Sequence, residues 1–332
     1  MNPTESDYQW VAIDPIDDLP KIIIPDKGIV DLSKFVENID DDDFKRILEK
    51  IAARWRDARQ RKFLLVSRFS TVGVYEILAM LPIPIDVVAF NVRGHKQIGD
   101  AGMEHLHLLT SSSLRELNLT GCGITFRGAK RICEYMERNT SVRTLAMEKN
   151  WIGDEGAKYV GDMLCVNKTL AELWIADNKL GPDAFGHISR GLAHYSTLQT
   201  LLLDANNKPC EEHIQRLCPG LAANRGLVFL YLGCCLENTQ TGFESLESVL
   251  KNNFHLTMIT LPCVSYEIRV WLDLNKIGRE IVFRGQEADL SEWHKVLLRC
   301  REAEFVTNAF YYFLRYKPEL IYWCNDKESP NN

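Results

Sequence analysis

A nine-residue apolar pattern returns along this chain at a nearly constant interval, and no other feature restricts its fold so strongly. LRELNLTGC starts at Leu114, VRTLAMEKN at Val142, LAELWIADN at Leu170, LQTLLLDAN at Leu198, LVFLYLGCC at Leu227 and LTMITLPCV at Leu256. These starts are 28, 28, 28, 29 and 29 residues apart, and a weaker copy, IDVVAFNVR, begins at Ile85, 29 residues before Leu114. A period of that length belongs to stacked units, none of which can bury its apolar face alone, so that neighbours share one continuous core. Such arrays work by presenting surface, which points to binding and leaves the bound molecule open.

Within each unit the apolar residues occupy the start position and the third and fifth positions after it. The last two are two residues apart, as on one face of a strand: Leu117 with Leu119, Leu173 with Ile175, Leu230 with Leu232. The second, fourth and sixth positions then face the other way. The eighth is Asn150, Asn178 or Asn206 in three units and Cys122 or Cys235 in two, a polar group able to bond backbone exposed where the strand bends away. The spacing then lengthens to the helical one: Ala129, Ile132, Cys133 and Met136, or Phe185, Ile188 and Leu192. Gly and Asp precede these stretches, as in Ile152-Gly-Asp-Glu-Gly, and mark helix starts. Parallel strands about 4.8 Å apart cannot keep pace with helices about 10 Å thick, so the stack must curve with the strands inside. The expected fold is an α/β solenoid shaped as a horseshoe, with a parallel sheet on the concave face, helices on the convex face and helical caps at both ends.

The L-x-x-L-x-L-x-x-N/C signature and its 28–29-residue period resemble the ribonuclease-inhibitor-like class of leucine-rich repeats, over residues 85–266. The resemblance implies the fold just described. It implies no single activity, because the class includes nuclease inhibitors, GTPase activators, actin-end cappers and immune receptors. Around the array, residues 1–40, with Pro3, Pro15, Pro20 and Pro25, read as an extended or partly disordered arm. Residues 41–84 read as an N-terminal cap with a degenerate first repeat: an amphipathic helix over 43–62, a strand from Phe63 to Val66 and a helix from Thr71 to Leu81. Residues 267–325 read as a helical C-terminal cap. It resembles the tails of some protist and algal leucine-rich-repeat proteins through an LNxxGR element (Leu274, Asn275, Gly278, Arg279), a Trp293 helix and a helix closing on Lys317-Pro318-Glu319-Leu320.

Composition narrows the function classes. A formal charge of −6 supplies no basic field for nucleic acid, and no apolar run approaches the roughly 20 residues needed to cross a bilayer. The first ten residues carry acids and no apolar stretch of a secretory leader, and ten cysteines without a C-x-x-C pair read as reduced, mostly buried thiols; a cytoplasmic protein is expected. Gly121-Cys-Gly123 lacks the third glycine of a dinucleotide loop, and no phosphate loop, serine elbow or H-E-x-x-H is present. His105 and His107 fall on different sides of a helix, and His187 and His194 are seven apart. No catalytic residue, cofactor or metal is expected, and the chain does not read as an enzyme.

The inward-facing rows are more informative. Trp174, Leu202, Tyr231, Phe229 and Met258 should converge on one apolar patch of the concave face, with Glu148, Glu172, Asp177 and Asp204 along one side. Aromatic residues on an exposed sheet, ringed by charge, compose a hot spot for another protein, here one with a basic surface, the alternative being that the C-terminal module or the N-terminal arm folds over the patch. The expectation is therefore a protein–protein interaction scaffold. Its rivals are an enzyme regulator of the GTPase-activator or nuclease-inhibitor type and a cytoskeletal or assembly component.

Overall fold

The computed structural model describes residues 29–31, 63–65, 89–94, 96, 98–109, 114–194, 197–206, 211–233, 240–261, 265–284, 292, 295, 296 and 299. Strands β1 (Ile29–Asp31) and β2 (Phe63–Leu65) come first and pair in parallel. β1 therefore puts paired strand inside the span read as an arm, while β2 matches the strand read at Phe63. The helices expected over 43–62 and 71–81 lie outside the described residues, as do residues 1–28 and 300–332.

From residue 89 strand and helix alternate. β3 (Ala89–Asn91) is followed by α1 (Gly99–Gly102), which runs into a 3-10 helix at Met103–Leu108. Then come β4 (Glu116–Asn118), α2 (Phe126–Arg138), β5 (Thr144–Ala146), α3 (Gly153–Val166), β6 (Glu172–Trp174) and α4 (Pro182–His194). β7 (Thr200–Leu202), α5 (Glu211–Ala223), β8 (Phe229–Tyr231), α6 (Gln240–Asn252) and β9 (Met258–Thr260) complete the array, and α7 (Tyr266–Ile277) and α8 (Arg279–Arg284) close it. β3 to β9 form one parallel sheet in chain order, and each helix packs on the next.

The register puts the middle strand residues in one line: Phe90, Leu117, Leu145, Leu173, Leu201, Leu230 and Ile259, all buried between sheet and helices. The weak first copy needs correction. Ala89 pairs with Glu116 and Phe90 with Leu117, so the counterpart of Leu114 is Val87, and 114 − 87 gives an interval of 27 rather than 29. A slip of two residues leaves the same side chains facing the core, so alternation alone could not distinguish the two registers.

Two rows of asparagine hold the units together. Asn150, Asn178 and Asn206 are buried where the strands end; Asn150 Nδ2 donates to the carbonyls of Leu119 (2.9 Å) and Met147 (2.8 Å), and Asn178 Nδ2 to that of Met147 (2.9 Å). Cys122 takes the same place one unit earlier, its thiol donating to the Val92 carbonyl. The second row, Asn139, Asn167, Asn224 and Asn253, closes the return from helix to strand. Asn167 Oδ1 accepts from the amides of Thr169 and Leu170, while its Nδ2 reaches back to the Met136 carbonyl of the unit before. On the convex side, a Cβ added at Gly161 would run into the His187 carbonyl oxygen and one at Gly220 into that of Ser189, so glycine permits the close approach of α3 to α4 and of α4 to α5.

The C-terminal end is finished by the LNxxGR element. Asn275 Nδ2 donates to the carbonyls of Asn253 and Leu256, continuing the second asparagine row from a helix instead of a turn. Arg279 is fully buried: its guanidinium lies 4.5 Å from the Phe254 ring centroid and 4.6 Å from that of Trp271, and it donates to the Leu250 carbonyl at the end of α6 and to that of Asn253. A cation placed on the last carbonyls of a helix neutralises the negative end of its dipole.

Candidate functional site

The inner face consists of two lines of side chains that flank the buried middle residues. In the first, Glu116, Thr144, Glu172, Thr200, Phe229 and Met258 are aligned by register; in the second, Asn118, Ala146, Trp174, Leu202, Tyr231 and Thr260. Trp174, Leu202, Tyr231 and Met258 are half-buried and Phe229 is 39% exposed, so these five sit on the open side of the sheet while Leu173, Leu201 and Leu230 point beneath it. Trp174 is next to Leu202 and Leu202 next to Tyr231 on successive strands; Phe229 is next to Met258. The face changes character along its length. Asn118 is buried and its Oδ1 accepts from the Thr120 amide, so the N-terminal half is polar, while Thr120 Oγ1 is buried without a hydrogen bond among the described residues. The aromatic half begins at Trp174.

The carboxylates divide into two groups. Glu172, Glu148 and Asp204 are half-buried on the inner side, and the structure adds Glu116, two strands before Glu172 with Thr144 between them. Burial, with a smaller contribution from Glu172, raises the Glu116 carboxyl above the ordinary glutamate value. Asp204 is likewise raised by burial and by Glu148. Both shifts reflect a carboxyl held in poor solvation near a second acid. Among the described residues Asp204 Oδ1 and Trp174 Nε1 are shielded from solvent and make no hydrogen bond. Asp177 belongs elsewhere. Its φ of 52° turns the chain out of the strand, and while its amide donates to the Asp204 carbonyl, its exposed side chain lines a depression with Lys149 and Lys179. Strand alternation stops at the turn, which a count of offsets cannot register.

Chemically this face can take an apolar side chain against Trp174, Leu202 and Tyr231 and a cation against Asp204 and Glu148. Among the described residues no group of three or more His, Cys, Asp or Glu side chains is arranged to hold a metal ion, and no helix is long and apolar enough to cross a membrane. Burial raises the Cys133 thiol far above its usual value, as expected of a packing residue.

A leucine-rich-repeat family model matches residues 110–133 and 138–161. The chain is 32% identical over 173 residues to the ribonuclease inhibitor of Sus scrofa, an alignment covering 51% of this chain and 38% of that protein. With the ribonuclease inhibitor of Mus musculus the identity is 31% over 170 residues, covering 50% and 37%. The chain thus spans little more than a third of the length of these relatives. Among solved structures it is similar to a chain of the Rad7–Elc1 complex of yeast, with a TM-score of 0.43, 16% identity and coverage of 67% of this chain and 60% of that one.

Proposed function

We propose that this leucine-rich-repeat solenoid captures a partner protein on its inner face, docking the partner's apolar side chains on Trp174, Leu202, Tyr231, Phe229 and Met258 and a basic group on the acids beside them. One observation carries the reading: the half-buried rings of Trp174 and Tyr231 and the 39% exposed Phe229 share the inner face with Asp204, and Asp204 Oδ1 and Trp174 Nε1 make no hydrogen bond among the described residues. A buried polar atom without a partner costs the free protein stability, and a ligand that bonds it recovers that cost as affinity. Aromatic anchors excluded from water would supply most of the binding energy, and the acids would orient a basic surface and speed its approach. The protein acts as a cytoplasmic binder and not as a catalyst. Residues 267–325 form a terminal module of the kind that follows the repeats of protist and algal proteins, a reading supported by the buried Asn275 and Arg279. The N-terminal arm over 1–40, the cap over 41–84 and the repeats over 85–266 complete the proposed division.

The test is Trp174→Ala combined with Tyr231→Ala. Capture of the partner should be lost, with cooperative unfolding retained and a thermal midpoint lowered by no more than about 5 °C. Collapse of the fold in either single variant would show these rings to be core and end the proposal.

A second reading, inhibition of a ribonuclease, is favoured by the likeness to the two ribonuclease inhibitors. RNA hydrolysis measured with and without the chain separates it from capture of a non-enzymatic partner.

A further inference from the structure

Trp151 is 65% exposed, more than any other large apolar side chain among the described residues, and it lies in the turn beyond β5, outside the inner face. Lys179 Nζ stands 4.9 Å from its ring centroid. The turns that follow β3 to β6 surround it with a depression of about 550 Å³, lined by Arg93, Lys96, Lys149 and Lys179, with Asp177 the single carboxylate among the described lining residues. Four cations gathered in a chain of net charge −6 make a local field opposite to that of the whole molecule. Among the described residues Arg93, Lys96 and Lys149 have no ion-pair partner.

The backbone sharpens this observation. Lys149 has φ 54°, and the equivalent positions one and two units earlier are Gly121 (φ 67°) and Gly94 (φ 89°). Lys179 has φ 58°, and its counterpart two units earlier is Gly123 (φ 71°). The same left-handed turn recurs at Asp177 (φ 52°) and Ala205 (φ 53°) in the next two units, so the conformation belongs to the repeat itself; what distinguishes Lys149 and Lys179 is that both side chains line the depression. Gly123 shapes the floor: a Cβ there would meet the Lys96 carbonyl oxygen, so glycine lets the Lys96 turn close in.

We infer that this rim pocket is a separate docking site for an acidic peptide segment, whose carboxylates meet Lys149, Lys179, Lys96 and Arg93 while an apolar side chain lies on Trp151. The volume falls within the roughly 300–1,000 Å³ of ordinary ligand pockets. Peptide is favoured over phosphate by the amides. Those of Gly94, Gly121, Lys149, Asp177 and Trp151 already donate to the carbonyls of Thr120, Glu148, Ala176, Asp204 and Ile124, which leaves no nest of these N–H groups to cradle a phosphate. Dispersed lysines around an indole suit carboxylates spread along a chain with an apolar residue among them. The inference rests on the protein-binder reading only for the class of its ligand; the surface differs.

The experiment is fluorescence anisotropy of a labelled Glu-rich decapeptide containing one leucine, titrated with the full chain. Saturable binding is expected, weakened about tenfold by Lys149→Gly with Lys179→Gly, roughly threefold per charge removed, and several-fold by Trp151→Ala. The glycine pair relieves the left-handed backbone, so its loss of binding cannot come from new strain there. The Trp174→Ala/Tyr231→Ala variant should bind the peptide normally, so failure of the inner-face reading and failure of this one are distinguishable. Absence of saturable binding, undiminished binding by the glycine pair, or loss with the inner-face variant would each overturn the inference. Displacement by inorganic phosphate at equal charge concentration would make this a phosphate site and overturn it too.

Discussion

Asn150 offers the sharpest test of how the units are joined. It is 1% exposed, its Nδ2 donates to the carbonyls of Leu119, Met147 and Glu148 at 2.9, 2.8 and 3.1 Å, and its Oδ1 accepts from the Ile124 amide at 3.1 Å. Asn150→Ala removes all four bonds, but their costs differ. The Met147 carbonyl keeps Asn178 and the Glu148 carbonyl keeps the Gly121 amide. The Leu119 carbonyl and the Ile124 amide have no other partner among the described residues. At about 1–3 kcal/mol for each of the two orphaned buried groups, the loss is about 2–6 kcal/mol, a large part of a domain's usual 5–15 kcal/mol. Asn150→Asp should be no better at neutral pH, because a carboxylate would point its second oxygen at three carbonyls, and acidification should restore part of the loss. Urea unfolding followed by fluorescence measures the change, and amide exchange should show Ile124 and α2 opening first, since repeat arrays can lose one region before the rest. A cost below about 1 kcal/mol, or an Asp variant as stable as the parent at pH 7, would refute the reasoning.

Two further outcomes follow from the site and the cap. Arg279→Lys should cost about 2–3 kcal/mol in urea unfolding, because an ammonium cannot stack flat between Phe254 and Trp271 or span the Leu250 and Asn253 carbonyls; a loss under about 0.5 kcal/mol would contradict this. Glu116 and Asp204 hold their protons more tightly when folded than when unfolded, so between the ordinary carboxylate values and the raised ones the native state binds more protons. Their contribution to stability therefore falls as pH rises through that window, and Glu116→Gln with Asp204→Asn should flatten the slope. Binding of a basic partner should run the other way, weakening as these carboxyls are protonated. An unchanged stability slope in the double variant would sink the assignment.

The repeat could be read from residue types alone because the apolar offsets of the units starting at Leu114, Val142, Leu170, Leu198 and Leu227 are all buried, and burial leaves a periodic trace. The Asn150, Asn178 and Asn206 row was visible for the same reason. The second row, at Asn139, Asn167, Asn224 and Asn253, stands three residues before four of the six strong starts and is replaced by Ser111 and Tyr195 before the other two, a less regular trace. Register at the first unit was not legible, since a two-residue slip changes no facing. Asp177 was misplaced because its direction depends on a left-handed turn, which sequence alternation does not encode. Trp151 had no signal at all. An exposed loop residue need not repeat, and only the stacked turns show it ringed by lysines. Arg279 stood out as part of a motif, but nothing in its spacing showed that a guanidinium would be buried between two rings at the end of α6.

The central claim is that a partner lies against the inner sheet, and site-specific photo-crosslinking tests it most directly. A benzophenone amino acid at Thr200, half-buried in the line between Glu172 and Phe229, is compared in native extract with one at Gln215, exposed on α5 of the convex side. The account predicts a discrete protein adduct from position 200, lost in the Trp174→Ala/Tyr231→Ala background, and none of matching mass from position 215. An adduct from 215 alone, or one from 200 that survives loss of both aromatic rings, would contradict it.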